Sequence, residues 1–171
     1  ELFGDILHVH QVGVRNFHYH VMPMYFNLRG MDQAMLDMVD DPALVHAFGE
    51  IYRDGQLGLL DQYEQQGLLS LNNDGTYHSS GGVGYTRLLP QADFDGAHVR
   101  PMDLWGSAED QELAQVSPAM HEEFALTYVK PLLARFGLNG YGCCEDLTRK
   151  LDDVFEINNI RRISISPFAD V

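Results

Sequence analysis

The sequence predicts an α/β fold built on a parallel sheet, and three observations carry that prediction. Short apolar runs suited to strands alternate with amphipathic stretches of helical spacing. The helical stretches begin and end on recognisable capping or breaking residues. The residues with most chemical potential cluster where predicted strands run into loops, as in sheets covered by crossover helices. With 171 residues, one domain, residues 1–171, is expected.

Along the chain, Asp5–Val12 alternates apolar and polar positions and is expected as a strand, with His8 and His10 projecting to one side. Residues 13–29 read as irregular, with Pro23 as a breaker. His18 and His20 repeat the two-residue spacing there and form a second pair able to chelate a metal or to sit on a solvated face. A helix is predicted from Met31 to Val39. Asp40-Asp41-Pro42 then starts another, an Asp cap followed by Pro where its missing N–H costs nothing. The stripe Leu44, Val45, Phe48, Ile51 and Tyr52 extends that helix to Tyr63, and Gly67 ends it.

Leu68–Leu71 reads as a strand, residues 75–97 as a long loop, and Val99–Trp105 as another short strand. Ser117-Pro118 opens a helix whose apolar face is Met120, Phe124, Tyr128, Leu132 and Phe136, with Pro131 expected to kink or interrupt it. Leu138–Cys143 is a strand entering a loop, residues 147–155 a short helix, and Ile160–Pro167 a last strand. The predicted strand ends thus fall at Asn72–Gly75, Tyr141–Glu145 and Ser166–Asp170.

Composition restricts the partners. A formal charge of −14 repels phosphate backbones and anionic membranes, so neither nucleic acid nor a membrane is expected as a partner. The longest apolar runs are far shorter than the roughly 20 residues that span a bilayer. Two adjacent cysteines and no visible secretory signal point to free thiols in a reducing cytoplasm.

Cys143 and Cys144, followed by Glu145, are the sharpest candidate metal ligands, because thiolates select zinc-like ions over magnesium. Neighbouring side chains on a strand face opposite ways, so both can reach one ion only if the chain turns there; otherwise one thiol is packing. Asn72, Asn73 and Asp74 either hydrogen-bond a substrate or form an ordinary Asn-Asp-Gly turn. Tyr141 and Ser166 join Asn72 as substrate-binding candidates, and Asp74 and Glu145 are the candidate catalytic carboxylates. The Ser80–Gly84 stretch lacks the Gly-Lys-Ser/Thr ending of a phosphate loop and reads as a flexible active-site loop.

Four blocks, taken in order, resemble the uroporphyrinogen decarboxylase-like superfamily, which includes corrinoid-linked methyltransferases. They are Met38–Val45, Ser117–Phe124, Tyr141–Leu147 and Arg161–Phe168. The resemblance implies a partial (β/α)₈ TIM barrel of about four or five βα units, cut before its last strand, with sheet edges that would favour a homo-oligomer. It also implies metal-assisted methyl transfer between a small substrate and a corrinoid protein, with zinc as the metal. Cys143 falls at the family's cysteine, whereas Tyr141 stands where those methyltransferases have a His. The family's late Cys would lie beyond Val171, so Cys144 or Glu145 is the replacement ligand. The same resemblance places Asp74 at an acidic strand-end position.

Uroporphyrinogen decarboxylation is the alternative, and it is disfavoured by scattered arginines in so acidic a chain. A non-catalytic binding fragment is the third reading.

Overall fold

The computed structural model describes residues 4, 6–9, 11–79 and 82–170. Four strands form a parallel sheet in the order β1 (His18–Tyr19), β4 (Trp105–Ala108), β5 (Leu138–Tyr141) and β6 (Ile160–Ile163). Between β1 and β4 run three helices, α1 (Val21–Arg29), α2 (Met31–Asp40) and α3 (Pro42–Gln65), and a small antiparallel pair, β2 (Tyr77–Ser79) and β3 (Gly82–Val83). The β4–β5 crossover contains α4 (Pro118–His121), a π-helical turn over Glu122–Leu126 and α5 (Thr127–Leu133). The short helix α6 (Leu151–Phe155) joins β5 to β6.

The register sorts the side chains into two faces. Tyr19, Ala108, Tyr141 and Ile163 are paired across the sheet and face the helices, where Tyr19, Ala108 and Tyr141 enter the main apolar core. His18, Ser107, Gly140 and Arg162 form the adjacent row and face the other way. One face of the sheet is therefore greasy and covered, and the other carries most of the polar chemistry.

Helix α3 follows the sequence signals: Asp41 accepts the Leu44 N–H at 3.3 Å, and Pro42 sits in the first turn. Its buried residues Val45, Gly49, Tyr52 and Leu60 keep one stripe against the core. Gly49 is required there, since a Cβ would lie 2.6 Å from the Tyr128 ring.

Several elements differ from the sequence-based expectation. The described residues of 5–12 form no strand, and Asp5 and His10 lie outside the described residues. The stretch expected to be irregular contains β1 and α1. Pro23 is tolerated because it lies in the first turn, where an absent N–H leaves no hydrogen bond unmade. The Leu68–Leu71 run contributes one bridge, Leu69 to Val14, and the expected strand at 99–105 shifts to Trp105–Ala108 behind a 3₁₀ turn at Pro101–Asp103. The predicted loop holds β2 and β3, while Ser80 and Gly81 of its glycine-rich part lie outside the described residues. Pro131 is accommodated inside α5, directly after the wide π turn.

Asn72 explains why the Leu68–Leu71 strand stops so soon. Its backbone leaves the sheet, and its buried amide takes over. The side-chain nitrogen donates to the carbonyls of Arg15 and Trp105, both at 3.0 Å, and its oxygen accepts the Trp105 N–H at 2.9 Å. One side chain thus closes the gap between the chain entering β1 and the start of β4. Asn72→Ala is expected to lower unfolding free energy by about 3 kcal/mol in a denaturant titration, because two buried backbone groups and one part-buried carbonyl lose their partners. Unchanged stability would contradict this bridging role.

Candidate metal centre

At the C-terminal edge of the sheet, β1 and β4 bring together three potential ligands that are far apart in sequence. His18, His20 and Glu109 present nitrogen and oxygen atoms that all lie within 4.8 Å of one another. The two-residue spacing puts both imidazoles on one side of β1, with ring centroids 4.0 Å apart. Glu109 follows the last residue of β4, and its N–H donates to the Tyr19 carbonyl at 3.2 Å, which continues the ladder beyond the strand. Its Oε1 lies 3.1 Å from His20 Nδ1.

Each member is held from behind. Tyr52, from α3, accepts the His20 backbone N–H at 2.8 Å and fixes the exit of β1. Asp110 accepts the Met22 N–H at 2.8 Å and ties the start of α1 to the end of β4. Just beyond β5, Cys143 lies close enough to Glu109 to help hold its carboxyl ionised, although its sulfur is not among the ligand atoms that share the 4.8 Å group. Glu145 is buried and accepts the Cys143 backbone N–H at 2.7 Å.

Electrostatics prepares the same groups to bind a cation. Burial, aided by the neighbouring His20, lowers the His18 pKa to about 4, which leaves its imidazole neutral at pH 7. Burial works against ionising Glu109. Hydrogen bonds from His20 and Cys143, with the nearby imidazoles, outweigh it and hold the carboxyl below its ordinary range. His18 Nε2 and Glu109 Oε2 are both buried and have no hydrogen-bond partner among the described residues. A neutral imidazole nitrogen and a carboxylate oxygen left in this way are costly unless something occupies the space between them. Two His and one Glu are also a ligand set of catalytic zinc, with a fourth position open. The donor set therefore fits a zinc-like ion.

The sequence-predicted residues distribute unevenly around this centre. Gly142 has φ +92°, and the turn it makes brings the Cys143 and Cys144 sulfurs to 3.4 Å. Cys143 reaches Glu109, whereas Cys144 is exposed. Tyr141 points into the helical layer, where its hydroxyl donates to Asp110 at 3.3 Å and lies 2.8 Å from His121 Nε2. Burial and the adjacent Asp110 push its pKa far up. Burial likewise raises the Asp110 and Glu145 carboxyls.

Asn72 spends its amide on backbone groups. Asp74 is exposed, accepts the Thr76 N–H at 2.8 Å, and lies 3.9 Å from Arg15. Ser166 is buried and accepts the Phe168 N–H at 3.1 Å in a local turn. Leu147, Leu151, Phe155, Ile163 and Ala169 line an apolar cavity of about 220 Å³ on the helix-facing side of β6, and Ser166 lines it too.

Sequence reasoning did not single out Glu109. Its one signal was an acidic pair directly after a short strand, which gains meaning only when β1 is known to lie beside β4. No family model, curated protein or solved structure matches this chain.

In metal-free protein, an NMR titration of the imidazoles is expected to place His18 near pH 4 and His121, also buried, near pH 3. Both lie below the ordinary 6.5 of an unfolded chain. Their contribution to stability is therefore complete above about pH 6.5 and lost as pH falls toward 4. Asp110 and Glu145, with raised carboxyls, act in the opposite sense. The test is thus the difference between wild type and His18→Asn, which should shrink between pH 6.5 and 4.5. An imidazole of His18 titrating at 6.5 would contradict the burial argument.

Proposed function

We propose that this chain is the metal-bearing part of a (β/α)₈-barrel protein of the uroporphyrinogen decarboxylase-like kind, acting in metal-assisted methyl transfer. The observation that carries the reading is the meeting of His18, His20 and Glu109, with Cys143 near Glu109, at the C-terminal edge of a parallel sheet. In barrels of alternating strands and helices that edge is where catalytic groups gather. The barrel reading is further supported by the βα order of the crossovers. The outer strands β1 and β6 also have open outer edges among the described residues, apart from the Val14–Leu69 bridge.

His18, His20 and Glu109 would hold the ion, with Cys143 as the neighbouring soft donor; zinc or cobalt suits nitrogen, oxygen and sulfur together. A bound ion would supply Lewis-acid polarisation of a methyl-bearing heteroatom, or would hold an acceptor thiol as thiolate. The chain's own residues do the rest. His18 is already neutral and need not shed a proton to become a ligand. Glu109 brings the negative charge that offsets the cation. Tyr52 and Asp110 fix the backbone at the ends of β1 and β4, so the ligands need little rearrangement. The corrinoid protein expected as methyl carrier is part of the proposal and rests on the sequence resemblance.

Protein purified with zinc or cobalt(II) is expected to retain about one ion per chain. His20→Ala or Glu109→Gln should abolish retention while the far-ultraviolet circular dichroism stays unchanged. In the cobalt form, Cys143→Ser should remove or shift sulfur-to-metal charge-transfer absorption, and Cys144→Ser should not. Metal analysis that finds no ion in well-folded wild type after loading would overturn the reading.

A further inference from the structure

Beside the candidate metal centre, on the same face of the sheet, lies a cation with no metal-binding role. Arg162, on β6, belongs to the row His18–Ser107–Gly140–Arg162. It does not extend outward from its strand but folds back across the sheet. Gly140 makes this route available, since a Cβ there would lie 2.6 Å from Arg162 Nη2. Gly82 crowds the other side, where a Cβ would overlap Nη1. The guanidinium reaches Ser79 Oγ at 2.7 Å and Ser107 Oγ at 3.1 Å through Nη2, and its carbon stands 5.9 Å from the centre of the Trp105 ring. It ends close enough to His18 for its charge to be felt there.

The partners of this guanidinium set it apart from the other half-buried arginines. In a chain of twenty-five acidic and eleven basic residues, Arg15, Arg53, Arg100 and Arg135 all pair with carboxylates. Arg162 has neutral hydroxyls and an aromatic ring, and no carboxylate among the described residues lies within ion-pair distance. Its Nε is buried and meets no acceptor among them. A half-buried guanidinium forks two N–H groups in one plane and is matched best by a planar carboxylate. Leaving a buried donor unmatched costs free energy that a bound anion would recover.

We propose that Arg162, with Ser79 and Ser107, is the anion subsite of this protein, and that its substrate bears a single carboxylate held there while its reacting end faces His18, His20 and Glu109. The chemistry at the reacting end rests on the metal reading above, but the subsite does not. One guanidinium compensates one negative charge, and in a chain of net charge −14 a doubly charged phosphate is the poorer match.

The test uses Trp105, the chain's single tryptophan, as a built-in probe in metal-free protein at constant ionic strength. Sodium acetate is expected to give a saturable change in tryptophan fluorescence, and acetamide, its neutral counterpart, none. Arg162→Gln should weaken acetate binding about tenfold or more, as loss of a charge-assisted pair predicts, and Arg162→Lys should keep part of it. Equal responses to acetate and acetamide in wild type, or full acetate binding in a folded Arg162→Gln protein, would overturn the subsite. Tighter binding of inorganic phosphate than of acetate would overturn its assignment to carboxylates. Should Arg162→Gln fail to fold, the acetate shift of the Arg162 Nε–H resonance in wild type decides the matter: a shift supports the subsite and an unmoved resonance refutes it. Cobalt retention measured on the same protein separates the two ideas, since a retained acetate response without cobalt binding refutes only the metal reading.

Discussion

The alignment of β1 against β4 is the constraint on which the polar face depends. Tyr19 opposite Ala108 sends the tyrosine into the helical core and leaves His18 opposite Ser107, with His20 one step beyond and level with Glu109. A slip of one residue would exchange the faces, burying two imidazoles among aliphatic side chains and turning a tyrosine outward. The helical layer opposes such a slip. Tyr19 packs against Phe136, Tyr52 grips the His20 backbone, and Asp110 grips that of Met22. The apolar side thereby sets the geometry of the polar side.

Below this edge the sheet is asymmetric in cost. On the helix side, burial is dense and cooperative, and Leu126, Val129, Leu132 and Leu133 are completely enclosed. On the other side, imidazoles, carboxylates, hydroxyls and a guanidinium crowd together, several of their atoms without a partner among the described residues. A fold that only needed stability would place apolar residues at those positions. Concentrated polar frustration on a rigid platform is the pattern expected where a protein holds something other than itself.

Much of the scaffold was legible in the sequence because it depends on local rules. Asp41-Pro42 starts α3, the four-residue apolar spacing marks the helices before β5, and the runs read as strands at Leu138–Cys143 and Ile160–Pro167 contain β5 and β6. The centre was less legible. His18 and His20 could be seen as a pair, but their value depends on Glu109, about ninety positions away and joined only through strand pairing. Cys143 was visible as a soft ligand, yet the turn at Gly142 that aims it toward β4 depends on one positive φ. Asn72 looked like a polar strand end open to ligands. Its burial against Arg15 and Trp105 follows from a strand that stops early, which no local spacing encodes. Arg162 follows Arg161 directly in the sequence, and the space left by Gly140 is what lets it fold back across the sheet.

The amide of Asn72 has one more consequence. Up to Val14 the chain entering the sheet is partnered by Leu68 and Ser70, and from Phe17 onward by β4. A single side chain makes the handover between these two neighbours. The thirty-odd residues that leave at Asn72 and return at Trp105 are thus an excursion closed at its base by two hydrogen bonds, with a third from Asn72 to Arg15. The excursion is pinned a second time where Ser79 accepts from Arg162 of β6 at 2.7 Å, so any change in its length must leave both knots tied.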